Sequence, residues 1–542
     1  MIIARLIGLV ATVGIGAIIN YLALPAWNLR NPALWAFFLV VICIGAVIQL
    51  IIDTIEKRKF LGIKVGAGAA AVALVVLLIG GLTSWQLFNA TNYQKMITME
   101  EGNFETDVNT VENLQNISIV DMETAERLGD RTIGSIQNAA WYEVDDEYNL
   151  IKYQGEQYRI SPLNYGGYFK SQKAKYDGIP GYVLVNTSTQ EAKYIKLEDG
   201  IKYSPSAHWS FDLKRHLRGQ YSSYIFGEHF FEIDEEGKPY YITAVKRPTI
   251  GMFGGKKEES FIITNACTGE SKEYKTEELP DWVDHAYDLE YLMRVAENNL
   301  KYVNGFWNSV FSQTNVLNTT YSYKSESSED TELFAGYNTA ITAKGEIVFY
   351  TGLTPASNAE SNVGFILANP RTGVITRYTC SGAEESSAQA SAESLVQDLK
   401  YEATFPTILN VDGEETYFML LKDKAGLVQR YALCNVENYT KVVQAETLDK
   451  AIELYLSKLG KANTDTNSSE IFKAEGTINS LYQAQIDGYT YYYFKLEGSD
   501  NLYMSSIKNS NKQVLLKAGT KITIEYAESS EKGVYIVEKI NF

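Results

Sequence analysis

Cysteine is scarce in this sequence, and so are the other residues on which familiar catalytic and metal chemistry depends. Four cysteines occur in 542 residues, too few to build a disulfide framework. Cys43 lies in an apolar run, which leaves Cys267, Cys380 and Cys434 to supply at most one bridge and one free thiol. Stability must then come from packed cores, which the 45% hydrophobic content and only 11 prolines allow. Histidine is as sparse, with only His208, His216, His229 and His285. The first two are expected on a helix over Ser206–Gly219, with no cysteine or close acid pair to complete a zinc set. Glu228-His229 and Asp284-His285 set a carboxylate beside an imidazole, but adjacent side chains diverge, so both read as surface or hydrogen-bonded histidines.

Motifs are missing too. No Gly-x-Ser-x-Gly elbow, phosphate-binding loop or His-Glu-x-x-His occurs. Gly251-Met-Phe-Gly254-Gly255-Lys-Lys comes nearest to a phosphate cradle, yet it lacks the following Ser/Thr and a helix start, and reads as a hairpin tip. A carboxylate pair of the glycosidase kind is illegible here, because its separation exists only in the fold. The expectation is a protein that is not an enzyme, with no catalytic residue, no cofactor and no metal. Positive charge is also in deficit, the net charge being −17. Residues 1–85 hold six basic against two acidic residues, a balance of +4, which leaves −21 for the rest. Such a surface repels phosphate backbones, and no nucleic-acid partner is expected.

Three long apolar runs are present: Ile2–Leu24, Ala33–Ile52 and Val65–Leu82. Each is near the roughly 20 residues that an α-helix needs to cross a bilayer. The cluster Lys57-Arg58-Lys59 follows the second run and, by the positive-inside rule, marks the cytoplasmic side. The N-terminus with Arg5 is then inside, and everything after the third run is outside. Cleavage of the first run near Ala23-Leu-Pro-Ala26 is the alternative. Small residues recur four apart as Gly8, Thr12 and Gly16, and as Gly62, Gly66 and Ala70. This spacing suits close helix packing, within one chain or between copies.

Four regions follow: a transmembrane module over 1–85, a polar stalk or juxtamembrane helical segment over 86–130, an acidic α+β outer domain over 131–459, and a β-barrel over 470–542. Alternating patterns at Trp141–Leu150 and Tyr153–Ile160 predict hairpin strands, with further turns at Asp234–Gly237, Ala343–Gly345 and Asp412-Gly413. One repeat stands out. Tyr182-Val-Leu-Val-Asn186-Thr-Ser-Thr189, Phe261-Ile-Ile-Thr-Asn265-Ala-Cys-Thr268 and Phe365-Ile-Leu-Ala-Asn369-Pro-Arg-Thr372 share one template. Gly269 and Gly373 follow in the last two copies and Gln190 in the first, and each copy returns toward a tyrosine, Tyr194, Tyr274 or Tyr378. An asparagine opening a turn bonds its own backbone and glycine fits the left-handed position, so this motif is structural. Helical patterns follow the second and third copies, at Asp281–Asn299 and Ala383–Leu399.

A strand, an Asn-x-x-Thr-Gly turn, a return strand and a helix resemble the PepSY modules of bacterial envelope proteins. The whole arrangement is similar to uncharacterised membrane-anchored envelope proteins of Gram-positive anaerobes. After a polar linker at Gly460–Ser469, five strands are predicted: Phe472–Gln483, Thr490–Leu496, Leu502–Ser506, Lys521–Tyr526 and Val534–Ile540. Gly519 before the fourth resembles the sharp entry of an OB-fold strand. Tyr491–Tyr493 offers stacking faces, but without a basic groove these tyrosines read as core and cross-strand packing. The 38 tyrosines suit sheet cores and protein or sugar interfaces alike. The expected function is a non-enzymatic cell-membrane protein whose outer domain self-assembles as a homo-oligomer or binds another envelope component. The PepSY resemblance implies, alternatively, a regulator or inhibitor of an envelope peptidase or a peptide sensor; an envelope hydrolase is the third reading.

Overall fold

The computed structural model describes residues 2–55, 61–110, 117–136, 138–321, 336–357, 361–460, 472–486, 489–499, 501–506, 516–528 and 533–541. Two compact units result, Met1–Leu459 and Gly460–Phe542. In the first, three helices span Ile2–Ala23, Pro32–Ile55 and Leu61–Ser84, and all three are long and apolar enough to cross a membrane. Leu6, Val10, Val72, Leu74 and Leu78 point outward, as lipid-facing side chains do. The small residues are consumed inside the chain. A Cβ on Gly8 would meet Ile52 at 2.6 Å, one on Gly66 would meet Ala46 at 2.6 Å, and Thr12 lies against Gly45 at 2.8 Å from such an atom. Gly8, Gly62 and Gly66 thus let the first and third helices close on the second.

The second helix runs on past the apolar stretch to include Asp53, which is fully buried and bonds Arg5 at 2.9 Å and the Gly62 N–H at 3.2 Å. This ion pair ties all three helices at one end of the bundle. The expected cytoplasmic cluster Lys57–Lys59 lies outside the described residues. The opposite end is gripped by the β-rich part of the unit. The Trp27 N–H donates to the Ser222 carbonyl (2.9 Å), Arg218 donates to Leu24 (3.2 Å) and Arg30 to Gly251 (2.8 Å). The loop at Gly251–Gly254 is the tip of a hairpin, as the sequence suggested. The Phe253 N–H bonds Ser84 Oγ (2.8 Å) while its ring covers Gly80, where a Cβ would sit 2.2 Å from the ring. Gly80→Leu is therefore expected to lift the tip off the third helix and speed tryptic cleavage at Lys256 and Lys257; an unchanged cleavage rate would refute this contact.

Among the described residues four largely antiparallel sheets follow, roughly one per strand–turn–strand motif. The first holds Tyr142–Val144, Asn149–Tyr153, Glu156–Tyr165, Ile179–Asn186 and Ala192–Ile201. The second holds Ile225–Ile233, Pro239–Ile250, Gly254–Asn265 and Ser271–Tyr274. Leu317–Thr319, Asn338–Ile341, Ile347–Pro355, Asn362–Ala368 and Ile375–Gly382 build the third; Glu402–Ala403, Thr407–Val411, Glu414–Lys422, Val428–Asn435 and Val442–Ala445 build the fourth. Residues 86–110 and 117–130 pack into this unit. Glu100–Glu101 adds a parallel strand to Ile375–Gly382, and the helix Met122–Asp130 is tied to the fourth sheet by Lys422, which bonds Asp121 (2.7 Å) and Glu123.

Three predicted helices differ from those observed. Leu289–Lys301 starts late because Asp288 caps it, accepting the Glu290 N–H, so 281–288 remains loop. Glu385–Ser394 is shorter than Ala383–Leu399. Ser206–Gly219 is not one helix: a 3₁₀ turn at Trp209–Phe211 precedes Leu213–Gln220, whose cap is Asp212. The second unit is a closed barrel of Phe472–Ile486, Tyr489–Leu496, Leu502–Ser506, Val534–Asn541 and Lys521–Glu528. Its strands match the sequence reading within a few residues. Tyr492, Phe494 and Tyr503 fill its core, and Gly519 turns at φ 87°. The linker at 461–469 lies outside the described residues.

Candidate functional site

The repeated turns come first, because the sequence singled them out. In each copy the asparagine Oδ1 accepts two backbone N–H groups of its own turn: Ser188 and Thr189 for Asn186, Cys267 and Thr268 for Asn265, Arg371 and Thr372 for Asn369. Thr189, Thr268 and Thr372 bond the N–H two residues on. Gly269 and Gly373 take φ of 77° and 74°, and Gln190 holds the same left-handed position at 60°. A fourth copy, Tyr431-Ala-Leu-Cys434-Asn435, closes with Asn435 accepting the Asn438 N–H (2.8 Å) in a turn one residue longer. It was readable from the sequence, but Asn438 stands where the template has threonine. The turns sit on four different sheets and do not converge on one site.

The third turn has a further role. Arg371 reaches the loop before the helix Leu289–Lys301 and donates to the carbonyls of Leu279, Pro280, Asp281 and Val283. The next residues of that loop cap a buried carboxylate, with Asp284 and His285 N–H donating to Glu232 at 2.9 and 2.5 Å. Burial holds the Glu232 carboxyl well above the usual range, outweighing these bonds and the nearby Arg371. The loop is thereby fixed, and with it His285.

His285 lines a cavity of about 200 Å³ where the first, second and third sheets meet. Its walls are Leu150, Phe230, Leu289, Tyr337 and Phe349, with Arg159, His285, Glu147, Glu228 and Asp288 also lining it. The His285 ring packs on Phe230 and Phe349 (centroids 5.8 and 5.3 Å), and the Leu150 backbone takes its one hydrogen bond. Nδ1 has no partner although the residue is 4% exposed. Burial, then the Arg159 charge, lower its pKa to about 4, so the ring is neutral at physiological pH and Nδ1 is a bare acceptor.

Arg159 is the more unusual group. It is 4% exposed and donates from Nε to the Val120 carbonyl and from Nη1 to that of Tyr148, both at 3.2 Å. Among the described residues no carboxylate lies within ion-pair distance of it. Buried guanidinium groups are ordinarily paired. The carboxylates stand apart from it: Asp288 faces Lys246 at 3.6 Å, while enclosure by protein, then Asp145, Glu228 and Asp288, raise the Glu147 carboxyl above its ordinary value. An adjoining cavity of about 220 Å³ shares Glu147, Asn149 and Glu228 and is lined by Tyr241, whose hydroxyl has no partner. One small space therefore offers an unpaired cation, a bare acceptor and anionic walls.

Sequence reasoning flagged His285 only for standing next to Asp284. That carboxylate turns away, accepting the Lys152 N–H at 2.6 Å. Arg159 was missed, since a lone arginine on a strand carries no local signal. The other histidines are spent on structure: His208 meets Ser171 (3.2 Å), His216 the Gly269 carbonyl (2.7 Å) and His229 Thr243 (2.8 Å). No group of three or more His, Cys, Asp or Glu among the described residues is placed to hold a metal. All four cysteines are free, and burial pushes the Cys267 thiol up to about 11. A larger cavity of about 330 Å³, lined by Glu100, Glu101, Asp107, Glu346, Asn369 and Thr372, carries no unpaired buried group. Compared with known proteins, the sequence matches no family model and no curated protein.

Proposed function

We propose that this chain is a membrane-anchored, non-enzymatic binding protein of the cell envelope, whose outer unit receives a small zwitterionic ligand in the cavity between its first three sheets. The observation that carries this reading is Arg159, a buried cation on a cavity wall with no carboxylate of its own. A ligand carboxylate supplies that partner, and charge-assisted pairing with a guanidinium is among the stronger polar contacts. A ligand ammonium group finds Glu147 and Glu228. Arg5 and the basic cluster Lys57–Lys59 in the sequence support a cytoplasmic N-terminus and, with three spans, a β-rich part outside the cell.

Melting the full chain in detergent with a panel of free amino acids tests the site. At least one is expected to raise the melting temperature, and the shift should vanish in Arg159→Lys and shrink in Glu147→Gln. A wild type indifferent to the whole panel, or shifts that both variants retain, would sink the proposal. Light scattering on the same sample addresses self-assembly, which a monomer would remove. Fourfold repetition of the strand–Asn turn–strand unit supports a second reading, a PepSY-type regulator of an envelope peptidase. Peptidase activity unaltered by the full chain would count against it.

A further inference from the structure

We infer that the β-rich part of the first unit rests on the bilayer through two aromatic wedges that enter the headgroup layer. The chain itself sets the level of the membrane surface. The first helix ends at Ala23 and the third at Ser84, so groups touching Tyr21 or Ser84 lie at the boundary of the hydrocarbon. Aromatic side chains favour that boundary, because a ring enters the apolar layer while its polar edge stays hydrated.

The first wedge is built on Tyr21. Trp209 stacks on it with centroids 6.4 Å apart, and its Nε1 donates to the Tyr168 hydroxyl (3.2 Å). Phe169 and Tyr176 continue the surface and are 81% and 72% exposed. Charge here is reversed relative to the chain. Lys170, Lys173 and Lys175 on the one segment, and Lys214, Arg215 and Arg218 on the helix Leu213–Gln220, occur with no acid between Tyr168 and Tyr176 or within that helix. The first segment touches the turn that leads into this helix, through Tyr176–Phe211 and Ser171–His208. A basic cluster at this level attracts anionic headgroups. Orientation is unaffected, since these residues are far in sequence from the spans that the positive-inside rule reads.

The second wedge stands beside the third span. After Ser84 the chain turns: Asn89 donates to the Thr83 carbonyl (2.9 Å) and the Tyr93 hydroxyl to that of Ser84 (2.7 Å). The helix Gln86–Gln94 is thus folded back to the membrane end, and Tyr302 and Phe306 pack on its Ala90 and Tyr93. Beyond them a helical turn at Gly305–Trp307 runs into a π-helical turn at Asn308–Ser312. Trp307 and Phe311 stack at 5.7 Å and are 62% and 75% exposed, with Val310 beside them. No charged residue occurs from Val303 to Thr314, and Asn304 and Asn308 both bond the Thr314 carbonyl. Exposed apolar clusters of this kind mark a contact surface. Its position at the span ends and the cations beside the first wedge select lipid.

Tryptophan fluorescence of the full chain, reconstituted in vesicles of equal parts phosphatidylcholine and phosphatidylglycerol, provides the test. Trp307→Phe and Trp209→Phe should each remove an emission component that acyl-brominated lipid quenches and aqueous acrylamide spares. A lost component that acrylamide quenches and brominated lipid does not would overturn the inference. A component shielded from both would overturn it as well, by showing protein over the wedge. Replacing Lys170, Lys173 and Lys175 together by Glu should reduce lipid quenching of the Trp209 component in these vesicles; undiminished quenching would refute the role of charge.

Discussion

Arg371→Ala is expected to destabilise the first unit by about 3 kcal/mol or more, a large effect for a residue that is neither apolar nor in a sheet. The guanidinium gathers four carbonyls, those of Leu279, Pro280, Asp281 and Val283, that otherwise lie along an irregular loop without ladder partners. The Pro370 carbonyl accepts from Ala286 and Tyr287 on the same loop. Losing the side chain frees the segment that caps Glu232 and carries His285. Arg371→Lys should recover only part of the loss, because an ammonium group lacks the planar fork that reaches several acceptors at once. Denaturant unfolding of the detergent-solubilised protein reads both variants. A loss below about 1 kcal/mol for alanine would mean that the loop holds itself. Ligand-induced melting shifts should disappear in Arg371→Ala even where the fold persists, since His285 then loses its placement.

How far the sequence could be read depends on how local each signal is. The three spans were legible because a bilayer demands a run of fixed length and apolarity, and the barrel strands because short runs rich in aromatic and β-branched residues are separated by polar, turn-forming stretches. The repeated turns were legible as well, since asparagine bonds its own backbone within three residues. Hairpin turns at Gly237, Gly345 and Gly413, each with positive φ, belong to the same class. Helix starts were misjudged where a cap decided them: Asp288 and Asp212 begin their helices later than the apolar pattern suggested. The candidate cavity was the least legible. Its walls come from Arg159, Glu228, His285 and Phe349, which only the packing of three sheets brings together. The same holds for Arg371, whose partners lie some 90 positions earlier in the chain. Spacing within a motif cannot reveal a contact made between motifs.

Glu385 shows the consequence of such contacts most sharply. It is 1% exposed and has no cation within ion-pair distance among the described residues. Its carboxylate accepts from the Tyr350 hydroxyl (2.9 Å), Asn362 Nδ2 (3.0 Å) and Thr320 Oγ1 (3.3 Å). Asn362 also bonds Tyr417 at 3.0 Å, so the network joins the third sheet to the fourth. Glu385→Ala strands these donors in an apolar interior and should cost about 3–5 kcal/mol. Glu385→Gln retains an acceptor oxygen without the charge and should stay close to wild type. The pair also predicts a pH effect. Burial raises the Glu385 pKa above its ordinary value of 4.5 despite these hydrogen bonds. Between that value and the raised one the folded state holds a proton that the unfolded chain has released. The contribution to stability is therefore complete below pH 4.5 and is lost as pH rises through the folded pKa. Glu232, Glu258 and Asp284 act in the same direction, the last two with pKa values of about 7 and 6, and they are common to both proteins. Unfolding wild type and Glu385→Gln at pH 5 and pH 8 isolates the Glu385 share: the variant should lose less stability over that interval. Equal losses would show that the buried carboxyl binds no extra proton in the folded state, and that the network carries its charge unaided.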